Sequence, residues 1–366
     1  MATALLILAL TVFLAYANGA NDNFKGVATL LGSGTTGYGR ALAWGTVTTF
    51  AGSMTALLFS QRLIAVFSGK GLVADELVGS ASFVAVVAFA AAGTVLLATW
   101  LSFPISTTHA LMGALVGAGL AMAHSEIHLA VLGRTFLMPL LLTPVAAMAL
   151  TGILYPSLRW LRLRLGIRKE DCICVSERLV PVATTHAAEA TASPRLHLET
   201  CQARYSGAIL SVDAHQALNL GHFLTAGAVS FARGLNDTPK IVALLLAAQA
   251  MQARSALLVV AVAMALGAVL QARKVADTMA RGITSMNHGQ GFTANLVTAG
   301  LVLVASRFGM PVSTTHVSCG SLFGLGACTG QAHWHTISTI LLAWFLTLPV
   351  AAGLAVLAGT VARTVS

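Results

Sequence analysis

Long runs of apolar residues, separated by short polar segments, extend from the first residues of the chain to the last. Several runs approach the roughly 20 residues that an α-helix needs to cross the hydrocarbon core of a bilayer. The runs are continuously apolar and do not alternate between apolar and polar residues, which argues against a transmembrane β-barrel. Because backbone groups inside a bilayer must be hydrogen-bonded within the protein, the runs predict membrane-spanning helices.

The candidate membrane segments differ in length, and several are too short to cross a bilayer alone. They are Leu5–Ala17, Ala41–Phe59, Ser80–Trp100, Ala110–Ala123, Val131–Leu154, Phe223–Phe231, Ile241–Ala250, Ala256–Leu270, Phe292–Ala305, Val317–Ala327 and Ile337–Ala362. The short segments predict broken helices and half-helices beside the full spans. We therefore expect an all-α, polytopic membrane protein.

Composition supports this prediction. Of the 366 residues, 57% are hydrophobic and 9% are charged, and the mean hydropathy is +0.82. About a quarter of the residues of a soluble domain are charged. This chain has too few charged residues to cover a soluble globule.

The formal net charge is +9, and many of the basic residues crowd one long polar segment, from Pro156 to about Ser206. An excess of Lys and Arg in a loop between spans marks the cytoplasmic side of a membrane protein. We therefore expect these basic residues to hold the segment on the cytoplasmic side and to contact lipid headgroups. We expect no nucleic-acid partner. The basic residues of this segment are Arg159, Arg162, Arg164, Arg168, Lys169, Arg178, Arg195 and Arg204.

The same segment contains Cys172, Cys174, His186, His197 and Cys201, which are residue types that bind zinc. Their spacing is irregular, so we predict a solvated, mobile linker and no metal, with a zinc site as the alternative. The linker is placed at residues 159–206, between membrane regions at 1–158 and 207–366.

Two polar motifs of the first membrane region recur in the same order in the second. Gly19-Ala-Asn21-Asp22-Asn-Phe-Lys25 returns as Gly234-Leu-Asn236-Asp237-Thr-Pro-Lys240, and Pro104-Ile-Ser-Thr-Thr-His109 returns as Pro311-Val-Ser-Thr-Thr-His316. Repeats of this kind are typical of secondary transporters, whose substrate site lies near mid-membrane between the repeats. We expect two repeated halves and predict that they are inverted relative to each other.

The repeated Asn-Asp pairs place charge inside apolar sequence. A charged residue in a membrane span costs about 2.5–3.5 kcal/mol or more, so Asp22 and Asp237 require a functional reason. We predict that each lies where a helix breaks after glycine and that, with Asn21 and Asn236, it offers oxygens to a coupling cation or proton. The alternative is an ordinary helix cap at the membrane surface, which the duplication in register disfavours.

A lysine follows each aspartate by three residues, on the same face if the chain is helical there. Two interpretations of Lys25 and Lys240 stay open. They neutralise Asp22 and Asp237 as ion pairs, or they add positive potential to an anion site.

The second motif begins apolar, glycine-rich segments with hydroxyl side chains. Ser and Thr cap free amides at a helix start, where the helix carries about half a positive charge. Two such ends, one from each half, are suited to a tetrahedral oxyanion, although some hydroxyls are expected to bond to helical carbonyls instead. The residues predicted to bind the substrate are Ser106, Thr107, Thr108, Ser313, Thr314, Thr315, Lys25 and Lys240.

The paired motifs resemble those of the inorganic phosphate transporter (PiT) family of phosphate–cation symporters. The resemblance covers both halves and excludes the linker, and it includes Gln290-Gly-Phe-Thr-Ala-Asn295. It implies that Asp22 and Asp237 serve the coupling cations and that the Ser-Thr clusters line a phosphate site. We expect His109, His316, Gln290 and Asn295 to support the residues that contact the substrate.

One departure from the family motif concerns the coupling ion. The family motif has a second asparagine where this chain has Lys25 and Lys240. We therefore expect a phosphate importer of the cell (inner) membrane that is driven by sodium or by protons, with altered coupling. No cofactor is expected, and a homodimer is considered.

Three alternatives remain. Hydroxyls and helix ends do not distinguish tetrahedral anions well, so the substrate could be sulfate. A membrane-embedded enzyme is disfavoured because the polar groups are duplicated symmetrically, whereas catalysis uses unlike groups. A passive anion channel would not concentrate its substrate.

Overall fold

The computed structural model describes residues 2–59, 61–123, 127–167, 171–184, 187–200 and 208–365. In these ranges the membrane region is built from α-helices, which confirms the predicted fold class. The helices are α1 (Ala2–Asp22), α2 (Ala28–Gly32), α3 (Tyr38–Phe59), α4 (Gln61–Phe67), α5 (Asp75–Val78), α6 (Ala81–Trp100), α7 (Thr107–Ala123), α8 (Leu129–Val131), α9 (Met138–Arg164), α10 (Ala214–Ala247), α11 (Ala253–Gln271), α12 (Arg273–Asp277), α13 (His288–Arg307), α14 (Thr314–Thr329) and α15 (Trp334–Val365).

Six helices of the described residues are long and apolar enough to cross a membrane, and a bent pair, α3 and α4, brings the total to seven. The two helices of that pair meet at an angle of 89°. Several of the shorter apolar runs belong to longer helices than their hydropathy predicts, because polar residues continue those helices at one or both ends.

The predicted half-helices are present as α7 and α14, which have 17 and 16 residues. Each follows a 20-residue helix, α6 or α13, after a short non-helical segment. The repeated Pro-x-Ser-Thr-Thr-His motifs therefore lie where a full-length helix is followed by the start of a short one.

The two aspartates lie in different local structures. Asp22 is the last residue of α1, and a 3₁₀ segment at Asn23–Gly26 follows it, as the predicted helix break requires. The predicted break at Asp237 is wrong, because the 34-residue helix α10 continues through it. Pro239 lies inside this helix, which joins the two apolar runs Phe223–Phe231 and Ile241–Ala250 into one element.

Glycines bring helices of opposite halves into backbone contact. A Cβ atom at Gly267 of α11 would lie 1.9 Å from the Tyr16 carbonyl oxygen of α1, and one at Gly234 of α10 would lie 2.1 Å from the Thr49 carbonyl oxygen of α3. Such distances leave room only for glycine. The helix pairs α1–α11 and α3–α10 therefore interlock the halves.

The half-helices pack on the opposite halves in the same way. A Cβ atom at Gly117 of α7 would lie 2.2 Å from the carbonyl oxygen of Ala352 on α15. At the equivalent Gly324 of α14, a Cβ atom would lie 2.2 Å from the carbonyl oxygen of Met148 on α9. Each half-helix is thus supported by a long helix of the other half.

Two strands in the predicted linker and a third just after it were not predicted from the sequence. β1 (Asp171–Thr184) pairs antiparallel with β2 (Ala187–Thr200) and with β3 (Ala208–Asp213), in the order β2-β1-β3. Since α9 continues to Arg164, the helical region ends later than the predicted linker start at residue 159. The division into two membrane regions and a linker stays a prediction.

The choice between a linker without metal and a zinc site stays a prediction, because only the backbone is described at Cys172, Cys174 and His197. The β1–β2 register places Cys174 opposite His197. His186 and Cys201 lie outside the described residues. Among the described residues no group of three or more His, Cys, Asp or Glu is arranged to hold a metal ion.

Candidate functional site

Five charged side chains are buried within the described membrane region: Asp22, Lys25, Arg233, Asp237 and Lys240. None exposes more than 3% of its surface. Isolated buried charges cost several kcal/mol each, so such groups are expected to be paired and hydrogen-bonded. Counted as ionised, the three cations outnumber the two carboxylates by one.

The first-half cluster surrounds the ammonium group of Lys25. The ammonium donates to the Asp22 carboxylate and to the side-chain oxygen of Asn21, 2.7 Å away. It also donates to the Ile105 carbonyl at 2.8 Å and to the Thr315 hydroxyl at 2.7 Å. Four oxygens of four chemical types therefore enclose one nitrogen.

The second-half cluster surrounds the ammonium group of Lys240 with three oxygens. It donates to the Asp237 carboxylate at 3.1 Å, to the Val312 carbonyl at 2.8 Å and to the Thr108 hydroxyl at 2.8 Å. Each partner stands at the repeat-equivalent position of a partner of Lys25. The site is therefore a pair of related clusters.

The pairing is crosswise between the halves. Lys25 belongs to the first half and contacts Thr315 of the second, while Lys240 belongs to the second half and contacts Thr108 of the first. Each threonine in turn donates to a carbonyl of the opposite half, Thr315 to Ile105 at 2.9 Å and Thr108 to Val312 at 3.3 Å. The starts of α7 and α14 therefore meet at the boundary of the halves.

The remaining hydroxyls of the two motifs have local partners. Ser106 and Ser313 accept from the backbone N–H groups of His109 and His316, each at 3.2 Å, and so cap α7 and α14. These bonds are the helix-capping role that serine is suited to at a helix start.

The first threonine of each motif bonds to the aspartate of its own half. Thr107 donates to Asp22 at 2.8 Å, and Thr314 donates to Asp237 at 3.4 Å. The structure thus brings the predicted substrate residues and the two aspartates together. Their roles in binding stay predictions.

Arg233 breaks the symmetry of the site and was missed in the sequence analysis. Its guanidinium donates to the side-chain oxygens of Asn18 at 2.7 Å and Asn23 at 2.9 Å, and to the Thr49 hydroxyl at 3.3 Å. Its Nε lies 3.7 Å from Asp237. A lone arginine directly before the repeated Gly-x-Asn-Asp motif was the available signal.

Asn18 stands at the position equivalent to Arg233 and was also missed. Its amide nitrogen donates to Asp22 at 2.8 Å and to Thr107 at 2.9 Å. Because its oxygen accepts from Arg233, Asn18 links the first-half cluster to the third buried cation.

The two predicted cation-binding asparagines differ in their surroundings. Asn21 donates to Thr99 and to the Phe103 carbonyl, both at 3.0 Å, while its oxygen accepts from Lys25. Asn236 is fully buried, and neither its oxygen nor its nitrogen has a hydrogen-bond partner among the described residues. The oxygen of Asn21 is therefore engaged by a lysine, and that of Asn236 is not.

The two motif histidines face each other directly behind the threonines. The ring centroids of His109 and His316 are 4.5 Å apart, and His316 stacks on Trp344 at 3.7 Å. The Trp344 indole N–H donates to the Pro104 carbonyl at 3.0 Å. This aromatic cluster packs the start of α14 against α15 and the loop before α7.

The other two predicted supporting residues have separate structural partners. Gln290 forms a capping box with Asn287 at the start of α13 and donates to the Tyr155 hydroxyl at 3.2 Å. Asn295 donates to the Thr29 hydroxyl at 2.7 Å. The hydrogen bonds given for these two residues do not reach the lysine clusters.

The geometry suits a small anion. Two helix starts, each with partial positive charge, face a buried region where cations exceed carboxylates by one. Threonine hydroxyls and lysine ammoniums supply hydrogen-bond donors for oxyanion oxygens. The duplicated, like groups do not provide the separate nucleophile, acid and base that an enzyme needs.

Comparison with known proteins gives a consistent result. Over 391 aligned residues, the chain is 24% identical to a Pyrococcus abyssi protein named as a candidate phosphate permease, with 95% of each chain covered. It is 38% identical over 155 residues to the sodium-dependent phosphate transporter 2 of Xenopus laevis, covering 38% of this chain and 24% of the relative.

The fold also matches a solved structure, described as the sodium-dependent phosphate transporter. The TM-score is 0.77 at 18% identity, and all of both chains is covered. The family model described as the phosphate transporter family matches residues 18–355, which include every buried charge of the site. The chain therefore belongs to the phosphate transporter family and is an integral membrane transporter, not an enzyme.

Proposed function

We propose that this chain imports inorganic phosphate by symport with a cation, sodium or a proton. The substrate site lies between the starts of α7 and α14, where Thr107, Thr108, Thr314 and Thr315 lie beside the buried charges. The observation that carries the proposal is the crosswise pairing of Lys25 with Thr315 and of Lys240 with Thr108. It joins both predicted substrate motifs into a single buried, cationic region.

Electrostatics favours symport over uniport. Moving one negative charge inward against 100 mV costs about 2.3 kcal/mol, and a dianion costs about twice that. A dianion about 6 Å from a carboxylate, at an effective dielectric of about 20, is repelled by about 5 kcal/mol. Lys25 and Lys240 already offset that repulsion at Asp22 and Asp237, so the coupling cation is needed chiefly against the membrane potential.

The repeated helix pairs support a twofold relation between the two halves, and we propose that the halves are inverted. Gly267 contacts α1 and Gly234 contacts α3, so each half contributes equivalent helices to equivalent contacts. An inverted arrangement with the basic linker in the cytoplasm requires each half to cross the inner membrane an odd number of times. Labelling of single cysteines in the linker and in the α10–α11 loop, from either side of the membrane, tests this topology.

Counterflow of radiolabelled phosphate in proteoliposomes tests the function directly. Sodium and pH gradients are imposed separately, and accumulation above the equilibrium level separates a symporter from a passive channel. Uptake that depends on neither gradient, or equal inhibition by excess sulfate and excess unlabelled phosphate, contradicts phosphate symport.

A pair of threonine variants locates the site. Thr107 donates to Asp22, whereas the exposed Thr360 bonds only to its own helix at Leu357 in the described contacts. We expect Thr107→Val to reduce uptake at least tenfold, because it removes a charge-assisted hydrogen bond of about 1.5–3 kcal/mol. Thr360→Val is the matched control and should transport normally.

A further inference from the structure

We infer that Lys25 and Lys240 are tethered substitutes for mobile coupling cations, so that the site binds phosphate without sodium. The inference rests on the proposed phosphate site. It assigns the two ammonium groups a role that a sodium ion could otherwise take, and it makes them determinants of ion specificity.

The surroundings of Lys25 are those of a bound cation. Its nitrogen is enclosed by a carboxylate, an amide oxygen, a backbone carbonyl and a hydroxyl, which are the oxygen ligands that hard cations take in proteins. The side chain is 2% exposed. The ammonium thus fills a buried oxygen cage.

The cage around Lys240 is built from the equivalent groups. The Asp237 carboxylate, the Val312 carbonyl and the Thr108 hydroxyl lie 2.8–3.1 Å from its nitrogen. An ammonium has three donor hydrogens, and this cage provides one acceptor for each. Two equivalent cages occupied by the same group indicate a common role in both halves.

Simple neutralisation of the aspartates does not account for the arrangement. Each lysine forms an ion pair with the aspartate of its own half and also bonds to a hydroxyl of the opposite half. Arg233 adds a third buried cation, which no further buried carboxylate of the described residues balances. The charge left over is available to an anion before any mobile cation binds.

A sodium ion in either cage would have to share its oxygens with an ammonium. Two like charges in contact repel each other, so sodium binding is disfavoured as long as the lysine occupies the cage. Removing the lysine side chain should favour sodium binding, because the cage oxygens and the negative charge of the aspartate remain. The inference therefore predicts that removal of the lysine side chains makes phosphate binding depend on sodium.

The first test uses the unaltered protein in detergent or nanodiscs. Sodium binding is measured by calorimetry without phosphate, and phosphate binding is measured in sodium chloride and in choline chloride. We expect no sodium binding at the two cages and less than a twofold change in phosphate affinity. Saturable sodium binding, or a phosphate affinity that rises tenfold or more with sodium, overturns the inference.

The second test compares two replacements of both lysines. Lys25→Ala with Lys240→Ala empties the cages, whereas Lys25→Met with Lys240→Met removes the charges and keeps the cages filled. In choline both should lose phosphate affinity by roughly 100-fold or more, the effect of a unit charge about 6 Å away at a dielectric of about 20. Sodium should restore the alanine variant and leave the methionine variant unchanged.

The outcomes separate the two proposals. If unaltered protein binds no phosphate in either salt, the proposed function fails, while the sodium calorimetry still decides the inference. Equal rescue of both variants by sodium shows that sodium acts outside the cages and contradicts the inference. If a variant does not fold, the sodium titration of the unaltered protein decides between the two outcomes without it.

Discussion

Replacing Thr108 or Thr315 by valine removes one hydroxyl from equivalent positions of the two clusters, yet the two variants should differ in stability. Both hydroxyls accept from a buried lysine, at 2.8 Å from Lys240 and 2.7 Å from Lys25. Valine has nearly the same shape as threonine, so packing changes are similar in the two variants. The difference in stability comes from the number of hydrogen-bond acceptors that remain for each lysine.

Counting donors and acceptors gives the direction of the difference. An ammonium has three donor hydrogens. Lys25 has four oxygen acceptors in its cage and keeps three after Thr315→Val. Lys240 has three and keeps two after Thr108→Val, so one buried N–H loses its partner. The Phe67 ring, 5.6 Å from the Lys240 nitrogen, is near the limit of cation–π contact and compensates only weakly.

The magnitude follows from the cost of an unmade hydrogen bond. Losing a hydrogen bond of a charged group costs about 1.5–3 kcal/mol, and losing a replaceable one costs about 0.5–1.5 kcal/mol. We therefore expect Thr108→Val to be less stable than Thr315→Val by about 1–2 kcal/mol. This difference corresponds to a change of roughly 5- to 30-fold in the ratio of folded to unfolded protein.

Thermal unfolding of both variants in the same lipid nanodiscs, at one scan rate, measures the difference. A fixed scan rate matters because membrane proteins commonly unfold irreversibly. Saturating phosphate should narrow the gap, since an oxyanion oxygen can accept from the freed N–H of Lys240. If the two variants are equally stable, or if Thr315→Val is the less stable one, the argument from counting donors and acceptors is wrong.

Two further predictions concern packing. Gly267→Ala should cost about 1–3 kcal/mol of stability, because its Cβ atom would lie 1.9 Å from the Tyr16 carbonyl oxygen. Gly300→Ala has open space at its Cβ atom and should be neutral or slightly stabilising. Thermal unfolding compares the two variants. Trp344→Phe should cost about 1 kcal/mol of stability by leaving the Pro104 carbonyl without its indole donor, and Trp344→Leu should cost more because the ring stacking is lost too.

The local chemistry of the half-helices could be predicted from the sequence. Ser106 and Ser313 carry the capping signal, and α7 and α14 begin at the residues directly after them. The signal is reliable because a helix start leaves amide groups that a neighbouring hydroxyl satisfies. The repeat also identified the four residues Asp22, Lys25, Asp237 and Lys240, since only a site near the middle of the membrane justifies duplicated buried charge.

The continuity of α10 could not be predicted from hydropathy. Its polar residues, from Arg233 to Lys240, resemble the end of a span because a lipid-facing helix cannot contain them. Inside the protein the same residues bond to α1, α3 and the starts of α7 and α14, so the helix continues. Hydropathy records the cost of exposing a residue to lipid, not the partners that remove that cost.

Arg233 shows a second limit of sequence reasoning. A repeat is recognised by the residues that match, so it does not draw attention to equivalent positions with unlike residues. Arg233 and Asn18 are equivalent but different, and they contact each other across the boundary of the halves at 2.7 Å. Because Asn18 is neutral and Arg233 is charged, this unlike pair accounts for the one positive charge by which the buried cations exceed the carboxylates.

The crosswise bonds also constrain how the transporter can move. Alternating access requires one half to move relative to the other around the bound substrate. Lys25–Thr315 and Lys240–Thr108 are bonds between the halves, so each must break, or be replaced, when the halves separate. A buried ammonium without acceptors is costly, and an oxyanion placed between the helix starts supplies acceptors. If phosphate binds between the helix starts as proposed, it would lower the cost of breaking these bonds and so tie movement of the halves to the presence of substrate.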